Sequence, residues 1–181
     1  FGDKLISENT SINSNTSYHL TTDDIIKEFE QNEDQKIQNF ALYVEGLNKS
    51  GFSFDNNYLH STVDMLNGKS VLFNNPFYND LIPYAFYPMN RVLLSHQKVL
   101  VVLGRHAIED DVREWIEKGI EAVTNIPFMW NIEVLDSQSK NVDIGIVTRS
   151  DVLDIEMHNA NSDFLKNVGY VVIIEPSKLI S

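Results

Sequence analysis

The chain has 181 residues, 43% hydrophobic and 22% charged, which suits one folded domain or one domain with a small appendage. Its formal net charge of -12 disfavours binding to nucleic acid, and its 14 Lys and Arg are scattered along the sequence. The absence of cysteine excludes disulfides, thiolate metal ligands and Cys nucleophiles, and is typical of a reducing compartment such as the cytoplasm. No apolar run approaches the ~20 residues that span a bilayer.

The N-terminal part of the chain is predicted to be a polar arm followed by helices. Residues 1–20 are polar, and we expect them to be poorly ordered or to pack only on a neighbour. Residues 21–68 are predicted to form a small helical extension, because Thr21 or Thr22 can cap a first helix and a second run has apolar residues at i, i+3, i+4 and i+7. Gly51 is expected to end the second helix.

From Lys69 onwards, short apolar runs alternate with helical patterns. The predicted strands lie in "KSVLFNN" (Lys69–Asn75), "KVLVVLG", "NIEVLD", "VDIGIVT" and "GYVVIIEP", the third being an outer strand. The segment "HAIEDDVREWIEKGIEAVTN" keeps helical period between the second and third of these strands. This alternation predicts an α/β domain at residues 69–181, with a mostly parallel sheet and helices on both faces.

The central strands are expected to bury their side chains almost completely, since a parallel sheet is covered on both faces. This expectation applies to Leu100, Val101, Val102, Ile144, Ile146, Val171, Val172 and Ile173.

Residues 69–181 resemble the first RecA-like domain of DEAD-box and related superfamily-two helicases. "KVLVVLGRHAIEDDVREWIEKGI" is similar to the strand, motif Ia and helix of that family, and "VDIGIVTRSDVLDIEM" is similar to its "ILVTTPGRLLDLL" segment. "FLKNVGYVVIIEPSKLIS" resembles the segment that carries the acidic magnesium motif. The resemblance implies a RecA-like, P-loop NTPase-like fold preceded by the helical extension.

The segment that matches the family's phosphate loop departs from it. It reads "NNPFYNDLIP", with no Gly, no Lys and no Ser or Thr, although these residues bind the phosphates and Mg²⁺ in a working loop. Pro76 removes a backbone donor, and Asp80 adds a carboxylate where phosphates would lie. Pro88 is expected to kink or shorten the helix that follows.

The magnesium motif departs as well. Ile174 stands in the position of its Asp, and only Glu175 is retained, followed by Pro176 and Ser177. Motif Ia keeps Arg105 but lacks its Pro-Thr pair, and Thr148 and Arg149 lack the Pro between them. The vestigial nucleotide-site positions are therefore Asn75, Phe77, Tyr78, Asn79, Asp80 and Glu175, with no catalytic residue, cofactor or metal expected.

The resemblance also predicts where these vestigial residues lie. Asn75–Asp80 and Glu175–Ser177 are expected to meet at the carboxyl edge of the sheet. Phe77 or Tyr78 is expected to fill the crevice between them, because an aromatic ring there buries apolar area worth ~2 kcal/mol.

Other residue groups are given structural interpretations. The five histidines are far apart and lack metal-ligand spacing: His19, His60, His96, His106 and His158. The acidic residues at 108–111 and at 151–156 are expected to begin helices. The aromatic run "FYNDLIPYAFYP" is expected to lie in the core or on a partner-binding surface.

These observations favour a catalytically inactive, helicase-like domain with a structural or protein-interaction role. Because both ends of the sequence are abrupt, we expect a segment of a larger protein whose partner is another protein or another domain of the same chain. The richness in Asn, Lys and Ile suggests an AT-rich bacterial source. Two alternatives stay open: part of an active ATPase whose phosphate loop lies elsewhere in the full chain, and an unrelated doubly wound domain that binds a small ligand.

Overall fold

The computed structural model describes residues 20–73, 78–104, 107–148 and 154–174. The chain forms two compact units, Phe1–Pro76 and Phe77–Ser181. Within the described ranges, no helix has both the length and the apolar character needed to cross a membrane. The predicted polar arm lies outside these ranges except for its last residue, Leu20, so the expectation about its order stays a prediction.

The first unit contains three helices. These are α1 (Thr22–Glu30), α2 (Gln35–Lys49) and α3 (Asn56–Leu66), of which the sequence predicted the first two. Their apolar faces share a core in which Phe40 of α2 is fully buried and lies 5.8 Å from Phe29 of α1, measured between ring centroids. The helical character predicted for residues 21–68 is thus observed over most of that range.

Both helix boundaries predicted from capping residues are confirmed. The Thr21 side chain accepts a hydrogen bond from the Asp24 N–H, and the Asp24 carboxylate accepts one from the Thr21 N–H, which completes a capping box. Helix α2 ends just before Gly51, whose φ of +93° is one that glycine adopts without strain. The next N–H, that of Phe52, returns to the Leu47 carbonyl at 3.0 Å, as in a Schellman motif.

The second unit contains a sheet of parallel strands in the order β2-β3-β1-β4. The strands are β1 (Lys98–Leu103), β2 (Ile132–Val134), β3 (Ile144–Thr148) and β4 (Val168–Ile174). The helices of this unit are α4 (Ile82–Leu94), α5 (Glu109–Thr124), α6 (Ile155–Ala160) and α7 (Ser162–Lys166). The α/β class with a parallel sheet is therefore confirmed, and β2 is an outer strand as predicted.

Alternating strand residues contribute to two hydrophobic cores, one on each face of the sheet. Val101 of β1 packs with side chains of α4 and α5, including the buried Phe86 and Ile116. The next residue, Val102, packs on the other face with Met157 of α6 and Phe164 of α7. β1 is therefore apolar along its length because both of its faces are covered by helices.

The expected burial is confirmed for four of the eight residues and is wrong for Leu100 of β1 and for the three residues of the outer strand β4. Val101, Val102, Ile144 and Ile146 are at most 6% exposed. Leu100, Val172 and Ile173 are only half-buried, and Val171 is 41% exposed. The three β4 residues differ because β4 is the outermost strand on its side, and an outer strand has a neighbour on one side only.

Around the predicted phosphate loop, the expected strand is not found and the expected effect of Pro88 is only partly tested. The predicted strand Lys69–Asn75 is described at residues 69–73, which have no regular secondary structure and belong to the first unit. There the Phe73 ring packs edge-on against Tyr58 of α3, with 5.3 Å between centroids, so its apolar area is used locally. Pro88 does not shorten α4, which continues through it from Ile82 to Leu94, and the alternative effect, a kink, stays a prediction.

Candidate functional site at the carboxyl ends of the strands

The carboxyl ends of three neighbouring strands lie at one level. Leu103 at the end of β1 stands opposite Thr148 of β3 on one side and Ile174 of β4 on the other. The Gly104 N–H donates to the Ile174 carbonyl at 2.9 Å and so continues the ladder one residue further. In open parallel sheets, ligands bind outside these strand ends, which makes this edge the candidate site.

Few of the vestigial nucleotide-site positions lie in the described part of the chain. Asn75, Phe77 and Glu175 are outside it, so the predicted meeting of the two segments and the inward-turned ring stay predictions. Tyr78 and Asn79 begin a 3₁₀ turn, Tyr78–Leu81, that leads directly into α4. Asp80 lies exposed in the same turn, which places its carboxylate one residue before the N-cap.

The amino end of α4 is poorly suited to hold an anion. An anion-binding helix terminus offers free backbone N–H groups and the positive end of the helix dipole. Here Pro83, in the first turn, has no N–H, and the exposed Asp80 precedes the helix with a negative charge. Leu81, the N-cap residue, makes no side-chain capping bond in the described structure. The terminus is thus short of donors and already has an adjacent carboxylate.

Helix α4 is held to the sheet at Tyr170 of β4. The Tyr170 hydroxyl donates a 2.8 Å hydrogen bond to the Ala85 carbonyl, three residues before Pro88. Burial raises the pKa of the Tyr170 hydroxyl well above its usual range, so it stays protonated and acts as a donor. This bond joins α4, which follows the segment that matches the phosphate loop, to β4, the strand that precedes Glu175.

The acidic groups singled out in the sequence begin helices, as expected. Glu109, Asp110 and Asp111 occupy the first turn of α5. Asp154 is the N-cap of α6 and accepts from the N–H groups of Glu156 and Met157 at 2.9 and 3.3 Å. Asp151 lies outside the described residues, as do Arg105 and Arg149 of the motifs that resemble nucleic-acid contacts.

The described histidines occupy separate sites. His60 of α3 lies 3.3 Å from the Glu28 carboxylate and packs edge-on against Phe29. His96 occupies the turn before β1 with a φ of 61°, and His158 lies in the last turn of α6. Across the four described ranges, no group of three or more His, Asp or Glu is arranged to hold a metal ion.

One polar cluster was not predicted from the sequence. Asp143, just before β3, accepts from the Lys98 ammonium at 3.2 Å and from the Asn131 N–H at 2.8 Å. Its carbonyl also accepts from the Val99 N–H at 3.0 Å. These bonds fix the starts of β1, β2 and β3 relative to one another, at the edge opposite the candidate site. The Lys98 partner is 45 residues away in sequence, so no local pattern indicates the contact.

A cleft lies beside the connection from β2 to β3 and was also missed. Its volume is about 360 Å³ and its lining residues are Ser139, Lys140, Asn141, Val142, Ala160, Asn161, Asp163 and Phe164. Asn161 is buried, and its amide donates to the carbonyls of Asp136 and Met157 at 2.8 and 3.0 Å. The Ser139 hydroxyl accepts from the Asp136 N–H at 2.9 Å, so it serves to hold the loop. The Ser139 hydroxyl also donates to the Asp136 carboxylate at 3.2 Å, which ties the same exposed turn together.

The fold defines the chain as an α/β protein with an all-parallel sheet of strand order β2-β3-β1-β4. Comparison with known protein families, curated proteins and solved structures gives no match to this chain. The likeness to helicases therefore depends on the sequence segments and on the order of the elements.

Proposed function

We propose that this chain is a catalytically inactive, helicase-like domain with a RecA-like fold and a structural or protein-interaction role. Its partner is another protein or another domain of the chain that contains it. The proposal includes a cytoplasmic location, supported by the absence of cysteine.

The observation that carries the proposal is the loss of the phosphate-loop Lys, its Ser or Thr and the magnesium Asp from a chain whose α/β element order after α4 is compatible with that family. The phosphate-loop segment has no Gly, Lys, Ser or Thr, and Ile174 replaces the magnesium Asp at the end of β4. The geometry of α4 agrees with this loss, because Pro83 and Asp80 leave its amino end short of N–H donors and negatively charged.

A nucleotide titration tests the proposal. A ligand present at 100 times its Kd adds about 2.7 kcal/mol to the stability of the folded protein. In a chain of this size that gain raises the melting temperature by roughly 5–10 °C. We expect ATP and ADP with Mg²⁺ to produce no such rise, no heat of binding and no phosphate release above background.

The same titration is made with two variants, one at the candidate site and one as a control. Asp80→Asn removes the carboxylate beside α4, and Asp110→Asn removes one from the exposed first turn of α5 as a charge-matched control. We expect both variants to behave like the natural chain, because the missing ligands cannot be restored by removing one charge. Micromolar binding or turnover by the natural chain would contradict the proposal.

A further inference from the structure

Helix α3 ends in a glycine cap that repeats the one at the end of α2. The Gly68 N–H donates to the Met65 carbonyl at 3.0 Å. The next N–H, that of Lys69, returns to the Asp64 carbonyl at 2.9 Å, as in a Schellman motif. Gly68 has a φ of +81°, which glycine adopts without strain. The end of α3 therefore requires a glycine at this position.

The residue before this glycine is an asparagine, and Asn67–Gly68 is the only Asn-Gly pair in the sequence. Both residues are exposed, and a Cβ built on Gly68 would meet no atom within 4 Å. An Asn side chain lies within reach of the next backbone nitrogen, and a following glycine has no side chain that would block the approach. Asn161 and Asn167 differ, because each precedes a residue with a side chain and each amide donates to a backbone carbonyl.

We propose that Asn67 is a site of spontaneous deamidation, which converts it to aspartate or isoaspartate. In this reaction the Gly68 nitrogen loses its proton to hydroxide and attacks Cγ of Asn67. The new C–N bond closes a succinimide ring, and the side-chain nitrogen leaves as ammonia with a proton taken from water. Water then opens the ring at either carbonyl. The net reaction consumes one water and releases one ammonia, so it needs no oxidant, reductant or enzyme.

The native cap sets how fast this reaction proceeds. In the folded chain the Gly68 N–H is bonded to the Met65 carbonyl, so its nitrogen attacks only when the last turn of α3 opens. Hydrogen exchange of the same amide requires the same local opening. We therefore expect the folded chain to deamidate more slowly than the free peptide LNGKS. The factor should equal the protection of the Gly68 amide against exchange.

Deamidation changes the end of α3 in two ways. It adds a carboxylate at the C-cap, where the negative end of the helix dipole opposes it and the last turn has no basic residue. In the isoaspartate product the main chain also gains a methylene group, which displaces the Gly68 and Lys69 N–H groups from their carbonyls. Both products should lower the urea midpoint of the first unit, and Asn67→Asp supplies the aspartate product directly.

Incubation of the full chain in a mildly alkaline buffer, followed by peptide mapping with mass spectrometry, tests the proposal. We expect the peptide that contains Asn67 to exchange an NH group for an oxygen, in part as isoaspartate. The rate should rise with pH, because the attacking nitrogen must lose its proton. Asn67→Ser should abolish the change in this peptide.

The cap of α2 supplies a matched control. There Ser50 precedes Gly51, with a φ of -78° against -87° for Asn67, so serine suits this position. Ser50→Asn, made in the Asn67→Ser background, should create a new deamidation site at residue 50.

Three results would overturn the proposal. In the first, Asn67 stays unchanged over a period in which the peptide rate and the measured protection require conversion. In the second, other asparagines of the folded chain convert as fast as Asn67. In the third, Ser50→Asn creates no site. None of these results bears on nucleotide binding, so failure here is distinguishable from failure of the proposed function.

Discussion

At the scale of single residues, two helical glycines differ in what surrounds them. Gly119 of α5 is buried, and a Cβ built there would lie 2.9 Å from the Phe86 ring. That ring is fully buried and packs edge-on against Trp115 at 4.6 Å between centroids, so it has little room to move. Gly46 of α2 has no atom within 4 Å of such a Cβ.

We therefore predict opposite effects of the same substitution. Gly46→Ala should raise the free energy of unfolding by about 1 kcal/mol, because Ala favours a helix interior. Gly119→Ala gains the same helix preference but overpacks the core at a cost of ~1–3 kcal/mol, so we expect a net loss of up to about 2 kcal/mol. Urea denaturation of both variants measures the difference. Stabilisation by Gly119→Ala would show that Phe86 moves aside freely.

The sequence predicted the buried side of α5 but missed the polar cluster at Asp143 and the cleft at Asn161. Gly119 and Ile116 belong to a helical stripe that repeats every three or four residues, so burial followed from spacing. Asp143 and Asn161 are fixed by contacts with residues 45 and 25 positions away. Such contacts depend on strand order, which local patterns do not contain.

At the scale of elements, the start of α1 can be tested through its capping box. Thr21→Ala removes the hydroxyl that accepts from the Asp24 N–H, and we expect a cost of about 1 kcal/mol in unfolding free energy. Thr21→Ser keeps an oxygen in that position and should be close to the natural chain. Urea denaturation followed by circular dichroism at the helical signal measures the cost, and equal stability of both variants would contradict the role of this cap.

The same box holds the pKa of Asp24 below its usual value, through the Thr21 N–H first and the Thr21 hydroxyl second. Asp24 thus contributes stability at neutral pH that is lost as pH falls through its lowered pKa. Thr21→Ala removes the hydroxyl, which is the second of these two causes, and keeps the Thr21 backbone N–H. An NMR titration of the variant should therefore show the Asp24 pKa moving part of the way up toward its usual value.

Strand prediction succeeded where apolar runs were long and failed where one was short. β1 is a long apolar run that suits a strand covered on both faces, and β4 is an equally apolar run at the edge of the sheet. The segment Val71–Phe73 offers three apolar residues, and contact with Tyr58 of α3 is available nearby. Tertiary packing therefore decided its structure against its strand preference.

At the scale of the whole molecule, each unit has its own core, and each core can be weakened separately. Phe40 in the first unit and Ile116 in the second are both fully buried. Large-to-small substitutions at such sites cost about 2–5 kcal/mol, because they remove buried area and leave a cavity. The two tryptophans, Trp115 and Trp130, both lie in the second unit, whereas helices occur in both units.

We predict that the two units unfold as separate cooperative transitions, since compact units with their own cores can fold alone. Phe40→Ala should lower the midpoint of a transition seen by far-ultraviolet circular dichroism and leave the tryptophan fluorescence transition unchanged. Ile116→Ala should lower the midpoint of the tryptophan fluorescence transition, which reports on the second unit. It should leave unchanged the circular dichroism transition of the first unit. Urea denaturation followed by both signals on the same samples makes the comparison. If either substitution moved both signals together, the two cores would unfold as one cooperative unit, and the stability of each would depend on the other.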